Sequence, residues 1–227
     1  MYPNFMTGLI AWMGDDQVTI AMDTLASYTN HTPFKIVSKI MPILHTRSVL
    51  CPFGDLELGL SLYQYVQSSI LSYDIRTLVS NLEKGMQSFL DYFIKTHNRA
   101  PNGSIFFFGY DCTDNMYRGF VFRVNEGTFV LNEEPKGLIV KPPTGVIDKE
   151  SLLPLFPFDL DNVPGSLYCG ICKMKVIDDS KNLDDRVGIG GQVQIAVLSK
   201  DGYQLSTLEM QDFRETFNET CANLKTE

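Results

Sequence analysis

A nucleophile, an anion and a cation lie near the front of this 227-residue chain: the hydroxyl of Thr7, the carboxylate of Asp23 and the ammonium of Lys39. Each borders an apolar run, namely Gly8-Leu9-Ile10-Ala11-Trp12, Val18-Thr19-Ile20-Ala21-Met22 and Ile40-Met41-Pro42-Ile43-Leu44. The first two runs are split by Gly14-Asp15-Asp16-Gln17 and read as a β-hairpin. A hairpin brings the start of its first strand to the end of its second, so Thr7 and Asp23 are expected at one end of a sheet. A threonine hydroxyl is a weak nucleophile that needs a base, and a neighbouring cation favours the developing alkoxide. Taken singly, each residue has an ordinary explanation: β-propensity for Thr7, a strand-end turn for Asp23, a solvated charge for Lys39.

The pattern of elements that must hold these groups is strands, helices, strands, helix, strands, helix. Strands are expected over about 8–13, 18–23 and 36–44, then at Ser48-Val49-Leu50-Cys51. Leu56, Leu60, Tyr63, Val66 and Ile70 recur at helical spacing after Asp55, and Leu78, Val79, Leu82, Met86, Phe89, Leu90 and Phe93 make one stripe on a helix capped by Asp74. A second strand block covers Ser104–Phe108, Met116–Val124, Thr128–Leu131 and Gly137–Lys141. A helix near 165–180, a strand from Val193 to Leu198, an Asp201-Gly202 hairpin turn and a helix from about Glu209 to Leu224 complete the order. Strands and helices segregated in blocks argue an α+β fold. Trp12 and the Phe106-Phe107-Phe108 triplet are expected in the core. The pairs Asp15-Asp16, Asp178-Asp179 and Asp184-Asp185 are expected as solvated turns.

Composition narrows the function. Hydrophobic residues at 44% build a sizeable core, and no Pro/Gly/Ser-rich linker, repeat or low-complexity tract divides the chain. A formal charge of -8 opposes binding to nucleic acid or an anionic membrane. No secretory signal is expected at the front, and no apolar stretch reaches the roughly 18 residues of a membrane span. Five cysteines, an odd number, suit a reducing, cytoplasmic compartment. Cys169-Gly-Ile-Cys172 has redox or metal spacing, but the scattered His31, His45 and His97 supply no second ligand pair, and the motif falls within an expected helix; buried structural thiols are the expectation.

The order and spacing of Thr7, Asp23 and Lys39 resemble the proteasome β-subunit family and its bacterial heat-shock peptidase relative. The matching stretches are Thr7-Gly-Leu-Ile-Ala-Trp, Gln17-Val-Thr-Ile-Ala-Met-Asp23-Thr and Lys39-Ile-Met-Pro-Ile, with weaker landmarks at Phe53-Gly54-Asp55, Phe108-Gly109-Tyr110-Asp111 and Gly190-Gly191. The resemblance implies a single domain over 7–227 with the N-terminal nucleophile hydrolase fold, a four-layer αββα sandwich. It implies that residues 1–6, a propeptide or an upstream start, are removed by self-cleavage at Met6-Thr7 or by initiation at Met6 and loss of that methionine. Thr7 then becomes the nucleophile and its own freed amine the base, while Lys39 stays charged and Asp23 holds it. The oxyanion is met by a backbone N–H at the Phe53-Gly54 turn, near a helix N-terminus.

By the same carry-over, Asp185 or Asp184 and Thr144 support the amine, and Ala26, Val37 and Cys51 line a small apolar pocket that prefers a hydrophobic residue before the cut. No metal or organic cofactor is required. The expected partners are copies of itself or related subunits in a ring, an ATP-dependent unfoldase, and a peptide substrate. The sequence departs from the family where Met6 precedes the threonine, where Ile189 precedes Gly190-Gly191, and where Pro52-Phe53 makes the oxyanion turn bulky. A catalytically inactive ring scaffold and a small-amide hydrolase of the same chemistry are the alternatives.

Overall fold

The computed structural model describes residues 7–27, 33–142, 147–155, 158–182 and 185–224. In chain order the strands are β1 (Leu9–Met13), β2 (Gln17–Asp23), β3 (Leu25–Ser27), β4 (Pro33–Ile36), β5 (Met41–Ile43), β6 (Ser48–Gly54), β7 (Gly103–Asp111), β8 (Met116–Asn125), β9 (Thr128–Glu134), β10 (Gly137–Lys141), β11 (Gln192–Ser199) and β12 (Gly202–Glu209). The helices are α1 (Leu56–Ser69), α2 (Ile75–His97), α3 (Lys149–Leu152), α4 (Val163–Asp179) and α5 (Phe213–Leu224). The fold is mixed α+β with two five-stranded antiparallel sheets, ordered β10-β1-β2-β11-β12 and β5-β6-β7-β8-β9, and a two-stranded β3-β4 ribbon. None of the described helices is long and apolar enough to cross a membrane.

Alternation along the strands sorts side chains into separate apolar clusters. Leu9, Ala11, Val18, Ile20 and Met22 of the first sheet meet Val49, Cys51, Phe106, Phe108 and Val121 of the second. The triplet in β7 is split by this rule: Phe106 and Phe108 join the cluster shared by the two sheets, and Phe107 packs with α1 and α2. The stripe Leu78, Leu82, Met86, Phe89, Leu90 and Phe93 of α2 covers that outer side of the second sheet. Leu167, Ile171 and Met174 of α4 pack with Ile10, Ala21 and Val193 of the first sheet.

Helix starts follow their caps. Asp55 accepts from Leu58 N at 3.1 Å, and Asp74 accepts from Thr77 N at 2.8 Å while its own N–H is taken by Thr77 Oγ1. The third strand expected over 36–44 is instead two pieces, β4 and β5, with residues 37–40 forming a bend between them. That bend carries Lys39. An unbroken strand would have made the Lys39 backbone a ladder group; outside the ladder, its N–H is free to meet a side-chain acceptor.

Contact between α1 and β6 is close enough to forbid a side chain at Gly59. A Cβ there would lie 2.3 Å from Pro52 Cβ and 2.9 Å from Pro52 Cγ, against a ring that cannot rotate away. In an exposed helix, Gly→Ala stabilises by about 1 kcal/mol. Here overpacking dominates, and Gly59→Ala is expected to destabilise by about 1–3 kcal/mol in urea unfolding. A stabilised variant would show that α1 does not seat on Pro52.

Candidate active site

The β1–β2 register pairs Leu9 with Met22, which brings the residues just before β1 beside Asp23 at the end of β2. Gly8 N donates to Asp23 Oδ1 at 3.0 Å. From the bend between β4 and β5, Lys39 Nζ donates to Thr7 Oγ1 at 2.7 Å, Asp23 Oδ2 at 2.9 Å and the Leu25 carbonyl at 2.6 Å. Thr7, Asp23 and Lys39 are 1%, 0% and 1% exposed. The cluster therefore straddles two sheets, with the hydroxyl and carboxylate at the end of one and the ammonium at the edge of the other.

An ammonium has three N–H donors, and here three oxygens receive them. Burial pulls the Lys39 ammonium below the usual lysine range and the Asp23 carboxyl above the usual carboxylate range; the opposite charge of each partner works against both shifts. The N–H groups of Gly8 and Gly190 further favour a charged Asp23. The result is a dry, paired cation in contact with a hydroxyl, the setting in which an alkoxide is stabilised most per charge.

Backbone from the late part of the chain closes the other side. Leu25 N donates to Gly190 O at 3.0 Å, Thr24 N to Gln192 O at 3.0 Å, and Gln192 N to Thr24 Oγ1 at 2.8 Å. Gly191 sits at φ +80, where a Cβ would come within 2.7 Å of Thr24 Oγ1, so glycine is required by both conformation and space. The segment leading into it is held by Asp178, whose carboxylate accepts from Val187 N, Gly188 N and Ile189 N at 2.8, 2.9 and 3.1 Å. Asp178 was expected in a solvated turn; it is buried because three backbone donors satisfy it. Helix α4 presses on the front strand, and a Cβ on Gly8 would lie 2.8 Å from Met174 Sδ.

The other expected site residues are placed as follows. Gly54 ends β6 at φ +101. The pairing of Met41 with Leu50, carried two residues on, brings Lys39 level with Pro52, so Phe53-Gly54, expected as a turn but observed as the last two paired residues of β6, is at the same end of its sheet as Lys39. Ala26 is buried and shares an apolar cluster with the partly buried Val37, whose N–H donates to Thr24 O at 2.9 Å. Cys51 lies in the cluster shared by the two sheets, where burial pushes its thiol well up.

Asp185 is exposed and its carboxylate accepts from Asn182 Nδ2 at 3.5 Å, so it stands apart from the buried cluster. Thr144 and Asp184 lie outside the described residues. Cys169 and Cys172 are free thiols on α4, and the expectation of buried thiols fails, since Cys169 is exposed and Cys172 half-buried; among the described residues no three His, Cys, Asp or Glu side chains converge as a metal-binding group.

Leu25 O and Gly8 N were not expected at the site, Gly190 was only a landmark of the resemblance, and Asp178 was expected in a solvated turn. A backbone atom carries no sequence signal, and Asp178 is one acid among many until its three donors are seen. Comparison with protein-family models and with curated proteins returns no match for this chain.

Removing one charge of a buried pair strands the other. Lys39→Met and Asp23→Asn are each expected to destabilise by about 3–5 kcal/mol, and the double variant to recover most of that loss. A urea-unfolding double-mutant cycle measures it. Additive losses would mean that the two groups do not interact.

Proposed function

We propose that this chain is a threonine-type peptidase subunit of the proteasome-like kind, hydrolysing peptide bonds with Thr7 as N-terminal nucleophile once residues 1–6 are removed. The observation that carries this reading is Lys39 Nζ bonded at once to Thr7 Oγ1, Asp23 Oδ2 and Leu25 O in a buried site. The packing of α1 and α2 on one sheet, of the two sheets on each other, and of α4 on the far face supports the four-layer αββα sandwich of N-terminal nucleophile hydrolases. Assembly into a cytoplasmic ring fed by an ATP-driven unfoldase belongs to the same proposal and rests on the sequence resemblance.

While Met6 is attached, the Thr7 nitrogen is an amide without basicity. Freed, it is an amine titrating near about 8, of which a useful fraction is neutral. It takes the hydroxyl proton as Oγ1 attacks the carbonyl carbon; Lys39 stabilises the alkoxide; the oxyanion is met by a backbone N–H at Phe53-Gly54. Collapse expels the amine of the departing peptide with that proton and leaves an ester on Thr7. Water, deprotonated by the same amine, then releases the acid and restores the hydroxyl.

A second reading, a non-catalytic ring scaffold, is favoured by Asp185. Asp185 or Asp184 was expected to support the Thr7 amine; Asp185 is exposed, and Asp184 lies outside the described residues. Intact mass of the assembled protein separates the two readings. A chain starting at Thr7 that cleaves peptides supports the enzyme, and an assembled chain that keeps Met6 and cleaves nothing supports the scaffold.

In the enzyme, Thr7→Ala is expected to lower kcat/KM by at least about 10³-fold, and Thr7→Ser to keep measurable turnover. The active base is the neutral amine, so kcat/KM should rise with pH through the amine pKa. The Lys39 charge moves that limb below the ordinary value of about 8. A limb at or above 8 would argue against a charged Lys39 beside the amine.

A further inference from the structure

Gln194 lies in β11 opposite Met22 of β2 and is 3% exposed. Its side chain leaves its own sheet and reaches the entry to β5 in the other. Oε1 accepts from two backbone N–H groups, those of Lys39 and Ile40, each at 2.9 Å. Nε2 donates to Ser38 Oγ at 2.6 Å, and Ser38 Oγ donates to the Ile40 carbonyl at 3.2 Å. Residues 38–40 precede β5, so these amides fall outside its ladder. Lys39 and Ile40 are buried, and buried amides need an acceptor.

Two ends fix the Lys39 side chain. Three oxygens hold Nζ, and Gln194 holds the backbone from which the four-carbon stem starts. That stem is flexible, and its ordering is entropically costly unless both ends are set. Reacting groups must be held to within roughly 0.5 Å, and a misplacement of about 1 Å costs on the order of 10²-fold in rate. We infer that Gln194 is a positioning residue: it anchors the bend at residues 38–40 so that Lys39 reaches Thr7. The catalytic consequence rests on the peptidase reading, and the anchoring does not. The chemistry required at this position is a buried acceptor long enough to serve two adjacent amides. Glutamate meets that requirement and leucine, of similar bulk, does not.

The test compares Gln194→Leu with Gln194→Glu in the full assembled chain, with folding followed by circular dichroism and thermal unfolding. For Gln194→Leu the expected result is a fall in kcat of about 10²-fold with KM nearly unchanged. Its acidic limb should move to higher pH, because the withdrawn ammonium no longer depresses the Thr7 amine. Acetylation of Lys39 by acetic anhydride, read by peptide mass spectrometry, should rise several-fold. Gln194→Glu should restore kcat, the limb and the protection of Lys39 toward wild type. A folded Gln194→Leu protein with wild-type kcat, limb and labelling overturns the assignment, as does a change confined to KM. If the wild type cleaves no peptide, the peptidase proposal fails and labelling decides alone: a rise in the leucine variant reversed in the glutamate variant sustains the anchor, and no rise removes it.

Discussion

Desolvating an ammonium costs several kcal/mol, and a protein tolerates one at 1% exposure only if every N–H finds an oxygen and an opposite charge lies close. Lys39 meets both conditions through Thr7, Asp23 and Leu25. Much of the surrounding architecture follows from keeping those partners in place. Asp23 must accept from Gly8, so β1 and β2 must pair in one register. The Leu25 carbonyl must face inward, so β3 must leave β2 at a fixed angle, held by Gly190 and Gln192. The bend before β5 must stay where Gln194 puts it. A buried pair of this kind is a weak source of stability, so its presence points to chemistry more than to folding.

The supporting layer is built mainly from backbone. Asp178 gathers three consecutive N–H groups and orders the run into Gly190-Gly191, so a helix end sets the geometry of a loop that touches Asp23. On the opposite sheet, the seating of α1 on Pro52 ties the start of that helix to Phe53-Gly54. Both devices use rigid or fully bonded groups, and neither depends on long exposed side chains.

Much of this was legible in the sequence. The hairpin of β1 and β2 follows from two apolar runs and a polar turn, and α2 from one uninterrupted stripe behind Asp74. The meeting of Thr7 with Asp23 follows from hairpin geometry alone. What was not legible depended on tertiary bonding. The run 36–44 is apolar enough to pass for one strand, and the amides of its break at residues 39 and 40 are met by Gln194, some 150 positions away in the chain. Asp178 carries the same local signal as its exposed neighbour Asp179, and only the donors from 187–189 distinguish them. Sequence spacing alone likewise does not say which of the adjacent acids Asp184 and Asp185 turns inward; Asp185 is exposed, and Asp184 lies outside the described residues.

Because the hydroxyl and carboxylate ride on one sheet and the ammonium on the edge of the other, the cluster reports their relative slip. The apolar layer between the sheets is non-directional, and the bonds that cross it, from Lys39 Nζ to Thr7 and Asp23 and from the Lys39 and Ile40 amides to Gln194 Oε1, set the register of one sheet on the other. A slip of one sheet past the other would have to lengthen these bonds first, and it would register at Thr7 as a longer distance to the Lys39 ammonium.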